Sequence, residues 1–479
     1  MSHKGALKIL KNAKYLYMAL LMSQGLRFVY MLILARLLGA ELYGVLTYGQ
    51  SWYLMFLPLT GLGLGAMLSR EVGKDRQNAK SIVDLVASIR IIAVGVIACI
   101  SVASGIYYAE NEFFATLLVI FSVALLGKAM VLWSNQMFQA FESTHIIFKI
   151  ERVFKPSEIL ISIAVAIITQ NILLIAIVHA IGQMIQGAVS IYFVNKGLCK
   201  VELVFLPQKM ISTVTRLFPL AIAVAAGQFL FYGPVVLAKE SFSSAVSLGN
   251  FSVLIQLFIV VIAVFSSVTN AALPALSRSA SNNRSNLSLF CRIAIYSACM
   301  CGLLLYVASS IFGSNLLVMI FGQKFLVAGE YLALMMLVLI PATATNLLNS
   351  VQISLEHNVK VLITNLFGVA TLIFSLPWFV SEFEFSGALY SLLAAFSVSA
   401  IIGITFLTRE FIISIKDAFI MPALLLGGFA LFNMVGESIN HENIAMSLGF
   451  LISLIVLWFV GINVKERKIV KLKLFKSNF

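Results

Sequence analysis

Apolar segments of about twenty residues recur along the whole chain, and short polar connections separate them. A membrane-spanning helix needs about 20 consecutive, mostly apolar residues. Of the 479 residues, 61% are hydrophobic and only 11% are charged, whereas a soluble domain carries roughly 25% charged residues. The connections are of ordinary loop length, so they leave no room for a soluble catalytic or binding domain. The sequence therefore predicts an all-α polytopic membrane protein with about 14 transmembrane helices.

The longest apolar stretch, residues 157–194, contains only one polar interruption, at Thr169, Gln170 and Asn171. A single helix of 38 residues would be about 57 Å long, which far exceeds a hydrocarbon core of about 30 Å. We therefore predict a break at Asn171. The predicted spans are residues 15–38, 44–67, 85–108, 112–133, 152–169, 172–194, 217–238, 246–272, 289–311, 327–350, 360–380, 386–407, 418–436 and 444–464.

The basic residues are concentrated in every second connection. If the N-terminus is cytoplasmic, the cytoplasmic segments hold 27 of the 33 lysines and arginines, and the opposite side holds three beside nine acidic residues. This asymmetry is the positive-inside rule, and it places both termini in the cytoplasm. It also explains the net charge of +13 through topology, without a nucleic-acid partner.

A weak internal repeat relates the two halves of the chain. The sequence Leu68-Ser69-Arg70 followed by Arg76 and Asn78 recurs 208 residues later as Leu276-Ser277-Arg278 followed by Arg284 and Asn286. A looser similarity links the segments after the fourth and tenth spans. Two six-helix blocks enter the membrane from the same side, so they form lobes related by an axis along the membrane normal, with a central cavity between them. We predict an N-terminal lobe at 1–200, a C-terminal lobe at 201–407, and two additional C-terminal helices with a basic tail at 408–479.

Few charged side chains lie within the predicted spans, and these are the candidate cavity residues. Arg27 is midway along the first span, where an arginine costs roughly 2.5–3.5 kcal/mol, so we expect it to face a cavity or a partner. Gln24 shares its face of the helix. Arg90 and Lys128 lie nearer the cytoplasmic ends of their spans, and snorkelling to the interface explains them as well as a binding role does.

Polar residues in three further spans have both a structural and a functional interpretation. Gln228 and Tyr232 form a pair at positions i and i+4 that could bind sugar hydroxyls or make a helix–helix hydrogen bond. Packing is the default role of His179, which has no ligand at helical spacing. Glu151, Lys155 and Glu158 share a face of the fifth helix, and ion pairing among them explains them equally well.

The absence of several motifs argues against catalysis and ion coupling. We expect no acidic residue deep in any span, and we find no phosphate-binding glycine loop, zinc spacing or serine elbow in the sequence. The five cysteines show neither metal spacing nor a disulfide pattern. The sequence therefore predicts a non-enzyme without a catalytic residue, cofactor or metal.

The connection between the first two spans resembles a known family. Residues 35–44 read Ala-Arg-Leu-Leu-Gly-Ala-Glu-Leu-Tyr-Gly, which is similar to a turn of the polysaccharide and O-antigen repeat-unit flippases of the multidrug/oligosaccharidyl-lipid/polysaccharide exporter superfamily. Pro274 with Arg278, and Ile320-Phe321-Gly322, are similar to that family as well. The resemblance extends to span number, lobe repeat and loop length.

This resemblance implies a flippase of the bacterial cytoplasmic (inner) membrane. Its substrate would be an undecaprenyl-pyrophosphate-linked oligosaccharide for O-antigen, lipopolysaccharide or another surface polysaccharide, moved by alternating access. Membrane lipids, a polysaccharide polymerase and a chain-length regulator are the implied partners. The cavity residues expected to bind the substrate are Arg27, Gln24, Arg90, Lys128, Gln228 and Tyr232. A multidrug exporter of the same superfamily, a lipid II flippase and, from another class, a polytopic polysaccharide polymerase or ligase remain alternatives.

Overall fold

The computed structural model describes residues 3–74, 79–282, 284–410 and 412–413. These residues form helices joined by short connections, and no strand occurs among them. The α-helices are α1 (His3–Phe56), α2 (Leu64–Lys74), α3 (Lys80–Tyr108), α4 (Glu112–Ala140), α5 (His145–Thr169), α6 (Ile172–Gly197), α7 (Pro207–Ser241), α8 (Ala245–Asn282), α9 (Arg284–Phe321), α10 (Leu326–Glu330), α11 (Leu332–Ser354) and α12 (Asn358–Arg409).

Nine helices within the described residues are long and apolar enough to cross a membrane. The two longest of them, α1 and α12, each contain one non-helical residue, Gly39 with φ 74° and Glu384 with φ 50°. Both interruptions fall in a predicted connection between two spans. The all-helical membrane fold is confirmed, whereas the total of 14 helices stays a prediction because spans 418–436 and 444–464 lie outside the described residues.

The predicted break at Asn171 is confirmed. Helix α5 ends at Thr169, and Gln170 follows it in the left-handed conformation with φ 49°. The Asn171 side chain then accepts hydrogen bonds from the backbone amides of Leu173 at 2.9 Å and Leu174 at 3.3 Å. Asparagine is a favoured N-cap because its carbonyl satisfies amides that lack a partner in the first turn. The polar triplet thus ends one helix and starts the next.

The second predicted span, 44–67, is wrong as a continuous helix. Helix α1 ends at Phe56, and a 3₁₀ turn from Leu57 to Gly61 leads to Leu62, which is left-handed with φ 46°. Pro58 provides a physical reason, since it has no amide hydrogen to donate and its ring clashes with the carbonyl four residues earlier. A separate helix, α2, then begins at Leu64.

Small residues allow the closest helix contacts. A methyl group at Gly127 of α4 would overlap the backbone of Gln183 in α6, and one at Gly187 would lie 2.8 Å from the carbonyl oxygen of Gly127. A methyl group at Gly44 of α1 would lie 2.7 Å from the amide nitrogen of Gly249 in α8. Close backbone approach at small residues is the usual basis of helix association in membranes.

The chain divides into two compact units. Among the described residues, unit 1 comprises those within 1–255, 320–324 and 376–388, and unit 2 comprises those within 256–319, 325–375 and 389–413. The lobe boundaries 1–200, 201–407 and 408–479 and the symmetry between the lobes stay predictions. Arg76 and Asn78 of the repeat motif lie outside the described residues, as do the side chains of 276–286 and of Pro274.

Candidate substrate-binding site in unit 1

Arg27 and Tyr232, proposed from separate spans, are brought together. The Arg27 guanidinium of α1 is hydrogen-bonded to the Tyr232 side chain of α7, and Tyr53 and Tyr43 lie within electrostatic reach. Both Arg27 and Tyr232 are partly exposed. A guanidinium that lies among three tyrosines offers several N–H donors that suit an anionic ligand.

Two of the predicted amides extend this polar surface by one helical turn. Gln24 precedes Arg27 on α1, and Gln228 precedes Tyr232 on α7; both are partly exposed. The side-chain oxygen of Gln24 is buried and has no hydrogen-bond partner among the described residues. A buried acceptor without a partner is costly, so this oxygen is suited to a donor such as a sugar hydroxyl.

Lys128 of α4 belongs to the same electrostatic cluster. It interacts with Lys155, Glu151 and Glu158 of α5 and also with Arg27. Lys128 is partly exposed. Snorkelling alone does not describe this lysine, because its ammonium interacts electrostatically with the acidic and basic residues of a neighbouring helix. Helices α1, α4, α5 and α7 of unit 1 therefore contribute to one polar cluster.

Arg90 has different surroundings, and the snorkelling interpretation is wrong for it. Only 3% of Arg90 is exposed, and its Nη1 donates to Oε1 of Gln136 in α4 at 2.5 Å. Nε and Nη2 have no partner among the described residues. Arg90 is therefore buried inside unit 1 beside the turn at Gly61, and none of its contacts is with Arg27 or Lys128.

Sequence reasoning missed a buried network between α5 and α6. One Glu158 oxygen lies 2.6 Å from Nδ1 of His179, and the other accepts from Lys155 at 3.3 Å and Gln183 at 3.2 Å. Nε2 of His179 lies 3.0 Å from the Tyr53 hydroxyl. A neutral imidazole protonated at Nδ1 satisfies both contacts, since it donates to Glu158 and accepts from Tyr53.

The position of Glu158 corrects the expectation that no acidic residue lies deep in a span. Glu158 is 7% exposed and precedes the end of α5 at Thr169 by eleven residues. At 1.5 Å per residue this is about 16 Å, half the thickness of a hydrocarbon core. A sequence signal was present on α6, where His179, Gln183 and Gln186 occupy positions i, i+4 and i+7 of one face.

Gln186 completes that face, because its amide donates to Oε1 of Glu151 at 3.2 Å. Both carboxylates of the α5 face are thus bound by amides of α6 as well as being close to lysines. Among the described residues, no group of three His, Cys, Asp or Glu side chains is arranged to hold a metal ion. The chemistry of the cluster is that of hydrogen bonds and opposite charges.

Two segments that carry the family resemblance meet at Arg36. Its Nε donates to the carbonyl oxygen of Ile320 at 2.6 Å. Gly39 interrupts α1 with φ 74°, a conformation that favours glycine, and it packs against the Lys324 side chain. The Arg36–Ile320 bond holds the connection after the first span against the end of α9, so the arginine and the glycine of this turn have structural roles.

The sequence profile of the family described as "Polysaccharide biosynthesis protein" matches residues 9–280. No curated protein matches the chain. Among solved structures, the lipid II flippase MurJ in an inward closed conformation is similar with a TM-score of 0.67 and 14% identity, covering 93% of this chain and 98% of that one.

Two transporters of the MATE family are also similar. An inward-facing multidrug resistance MATE transporter of the MOP superfamily has a TM-score of 0.65 and 14% identity, covering 84% of this chain and 98% of that one. The Vibrio cholerae MATE transporter VcmN in the bent form has a TM-score of 0.58 and 16% identity, covering 87% and 99%. At these identities the likeness shows the fold. The chain is therefore a multi-pass membrane protein that belongs to the polysaccharide biosynthesis protein family and has the fold of MOP-superfamily transporters.

Proposed function

We propose that this protein is a flippase that moves an undecaprenyl-pyrophosphate-linked oligosaccharide from the inner to the outer leaflet of the bacterial cytoplasmic membrane. The observation that carries the proposal is the Arg27–Tyr232 pair with Lys128 within electrostatic reach of Arg27. Family membership and the transporter fold support it. The product serves O-antigen or another surface polysaccharide.

The chemistry of the cluster suits a pyrophosphate attached to sugars. A planar guanidinium binds phosphate oxygens through two parallel hydrogen bonds, and an ammonium adds a compact positive charge. Tyr232 and the amides of Gln24 and Gln228, which all belong to partly exposed residues, supply hydrogen-bonding groups for sugar hydroxyls. A phosphate bound in this polar cluster would be attracted to the cations more strongly than in water, because the effective dielectric constant inside a protein is lower.

The acidic residues of the cluster already have partners on α6 and α5. Glu158 is bound by Lys155, His179 and Gln183, and Glu151 is bound by Gln186. Three cations, Arg27, Lys128 and Lys155, outnumber these two carboxylates. The surplus of positive charge favours an anionic substrate over an organic cation.

In this proposal, the substrate is carried by alternating access of two lobes, and a polysaccharide polymerase and a chain-length regulator act on the product. A lipid II flippase would use the same cationic groups, because lipid II is also a lipid-linked pyrophosphate. Only the sugars distinguish the two substrates, and Arg27 and Lys128 recognise the part that both share.

Glu158 favours a second candidate, a multidrug exporter of the same superfamily. A carboxylate within a span is the usual carrier of a coupling proton or a binding site for a cationic drug. The pairing of Glu158 with Lys155 and His179 makes a cationic substrate the less favoured of the two.

The experiment is deletion of the gene followed by analysis of lipid-linked sugars and surface polysaccharide. A flippase of repeat units predicts accumulation of undecaprenyl-linked single units and loss of surface polymer, with both restored by the wild-type gene. Unchanged glycans with increased sensitivity to cationic dyes would instead identify a drug exporter, and arrested peptidoglycan synthesis would identify a lipid II flippase.

A further inference from the structure

A groove with a volume of about 470 Å³ lies between α1 and α5, apart from the polar cluster described above. Its lining consists of Tyr15, His145, Phe148, Lys149 and Arg152. The four α5 residues occupy positions i, i+3, i+4 and i+7 of one helix face, and Tyr15 faces them from α1. Both groups belong to unit 1.

The aromatic side chains form an organised floor. The Tyr15 ring lies 6.3 Å from the His145 ring and 6.2 Å from the Phe148 ring, centroid to centroid. The Arg152 guanidinium lies over Phe148, 6.0 Å from the ring centroid. Phe148 also packs against a buried hydrophobic cluster. The groove is therefore anchored in the core of unit 1.

Two cations stand at this groove without an acidic partner. Lys149 and Arg152 are exposed, and neither forms an ion pair with a carboxylate in the described part of the chain. In contrast, Lys155, one turn further along α5, is paired with Glu158. Two neighbouring cationic side chains beside an aromatic floor are suited to binding a phosphate group, whose oxygens accept hydrogen bonds from both.

The surface that continues from the groove is apolar. On α5, Val153, Leu160 and Ile167 follow Lys149 on the same face and are 56%, 67% and 62% exposed. On α1, Met18 and Leu21 follow Tyr15 and are 39% and 73% exposed. The rise from Lys149 to Leu160 is about 16 Å, which is half of a hydrocarbon core and thus one leaflet.

We propose that this groove binds the phosphate of an anionic glycerophospholipid in the cytoplasmic leaflet. In the predicted topology, Lys149 and Arg152 lie at the cytoplasmic interface, where basic pockets between helices bind lipid head groups. Apolar surface continues from the groove on both α1 and α5, which matches the two acyl chains of a glycerophospholipid. An undecaprenyl carrier has a single chain. The site does not depend on the proposed transport function.

The test is native mass spectrometry of the full-length protein in detergent with added phosphatidylglycerol, undecaprenyl phosphate or inorganic phosphate. The double variant Lys149→Gln/Arg152→Gln should raise the phosphatidylglycerol dissociation constant about 25-fold. Each basic residue near a membrane surface changes the affinity for an anionic lipid roughly fivefold, and the two factors multiply. The matched control is Lys196→Gln/Lys200→Gln. It also removes two exposed cations, one of which contacts an aromatic ring at Tyr192, and it should bind as the wild type does.

A charge-preserving double variant, Lys149→Arg/Arg152→Lys, keeps the test valid if the glutamine variant is unstable, because it should retain most of the binding. Three outcomes would overturn the proposal. The first is that the wild type and a folded glutamine variant bind phosphatidylglycerol with equal affinity. The second is that equimolar undecaprenyl phosphate displaces phosphatidylglycerol. The third is that inorganic phosphate binds as tightly as the lipid does.

Discussion

The carboxylate of Glu158 and the imidazole of His179 meet at 2.6 Å between α5 and α6. Both side chains are more than nine-tenths buried. The pair joins two helices that are separated in sequence only by the turn at Asn171, and it extends through Nε2 of His179 to Tyr53 on α1. Three helices of unit 1 are thus connected through one series of polar contacts, and Lys155 links these contacts to the polar cluster around Arg27 and Lys128.

The first prediction concerns this pair. Glu158→Ala should destabilise the protein by about 3–5 kcal/mol, because it removes the carboxylate that is ion-paired with Lys155 and leaves the buried donors of His179 and Gln183 without their acceptor. Glu158→Gln should cost less, because its amide oxygen still accepts a hydrogen bond. Thermal unfolding of the purified protein in detergent measures both effects. Glu382→Ala, at an exposed position, is the matched control, and an unfolding temperature of Glu158→Ala equal to that of Glu382→Ala would contradict the structural role.

The second prediction is that Arg27 is required for transport. Arg27→Ala should reach the membrane at normal levels and fail to restore surface polysaccharide, and Arg27→Lys should be intermediate, because an ammonium keeps the charge and loses the planar fork. Arg90→Ala and Lys128→Ala should be milder. Immunoblots of membranes alongside glycan analysis measure the two quantities.

Tyr232→Phe is the control for a purely structural role of Arg27. It removes the hydroxyl that is bonded to Arg27 and keeps the charge. If the bond to α7 were the whole function of Arg27, Tyr232→Phe and Arg27→Ala would lower the membrane level equally. Full export by a well-expressed Arg27→Ala would rule out the binding role.

The third prediction tests the close contact between α4 and α6. Gly127→Ala places a methyl group against the backbone of Gln183, and overpacking of this kind costs about 1–3 kcal/mol. Gly95→Ala on α3 is a matched control, because apart from its own helix backbone and chain neighbours no atom lies within 4 Å of the added methyl group, and alanine is the better helix former. Unfolding in detergent should separate the two variants, and equal stability would show that α4 and α6 do not pack so closely.

The fourth prediction concerns topology. Alkaline phosphatase fused after Asn171 should be active, because this residue lies in the turn between α5 and α6 on the side opposite the basic loops. A fusion after Lys200 should be inactive, since cytoplasmic alkaline phosphatase lacks its disulfides. The reverse pattern would refute the positive-inside assignment and the predicted cytoplasmic groove with it.

Several features were predictable from local sequence. The break at Asn171 follows from the length of an apolar stretch and the capping preference of asparagine, both of which act within a few residues. The end of α1 at Phe56 was also encoded locally, by Pro58, but the surrounding apolar residues conceal it from a prediction based on hydropathy. Arg27 was proposed as a cavity residue because the energetic cost of a charge depends mainly on its depth in the span.

The partners of these residues were not predictable, because they depend on how each helix is rotated about its axis. Hydropathy and charge asymmetry alone determined that this chain is a helical membrane protein, because transfer into lipid acts on each segment independently. Only tertiary structure decided that Tyr232 bonds Arg27, that Arg90 is buried against Gln136, and that Glu158 faces His179. A helix of given sequence presents a different face after a rotation of one residue, about 100°, and the packing of all its neighbours selects which face is turned inward.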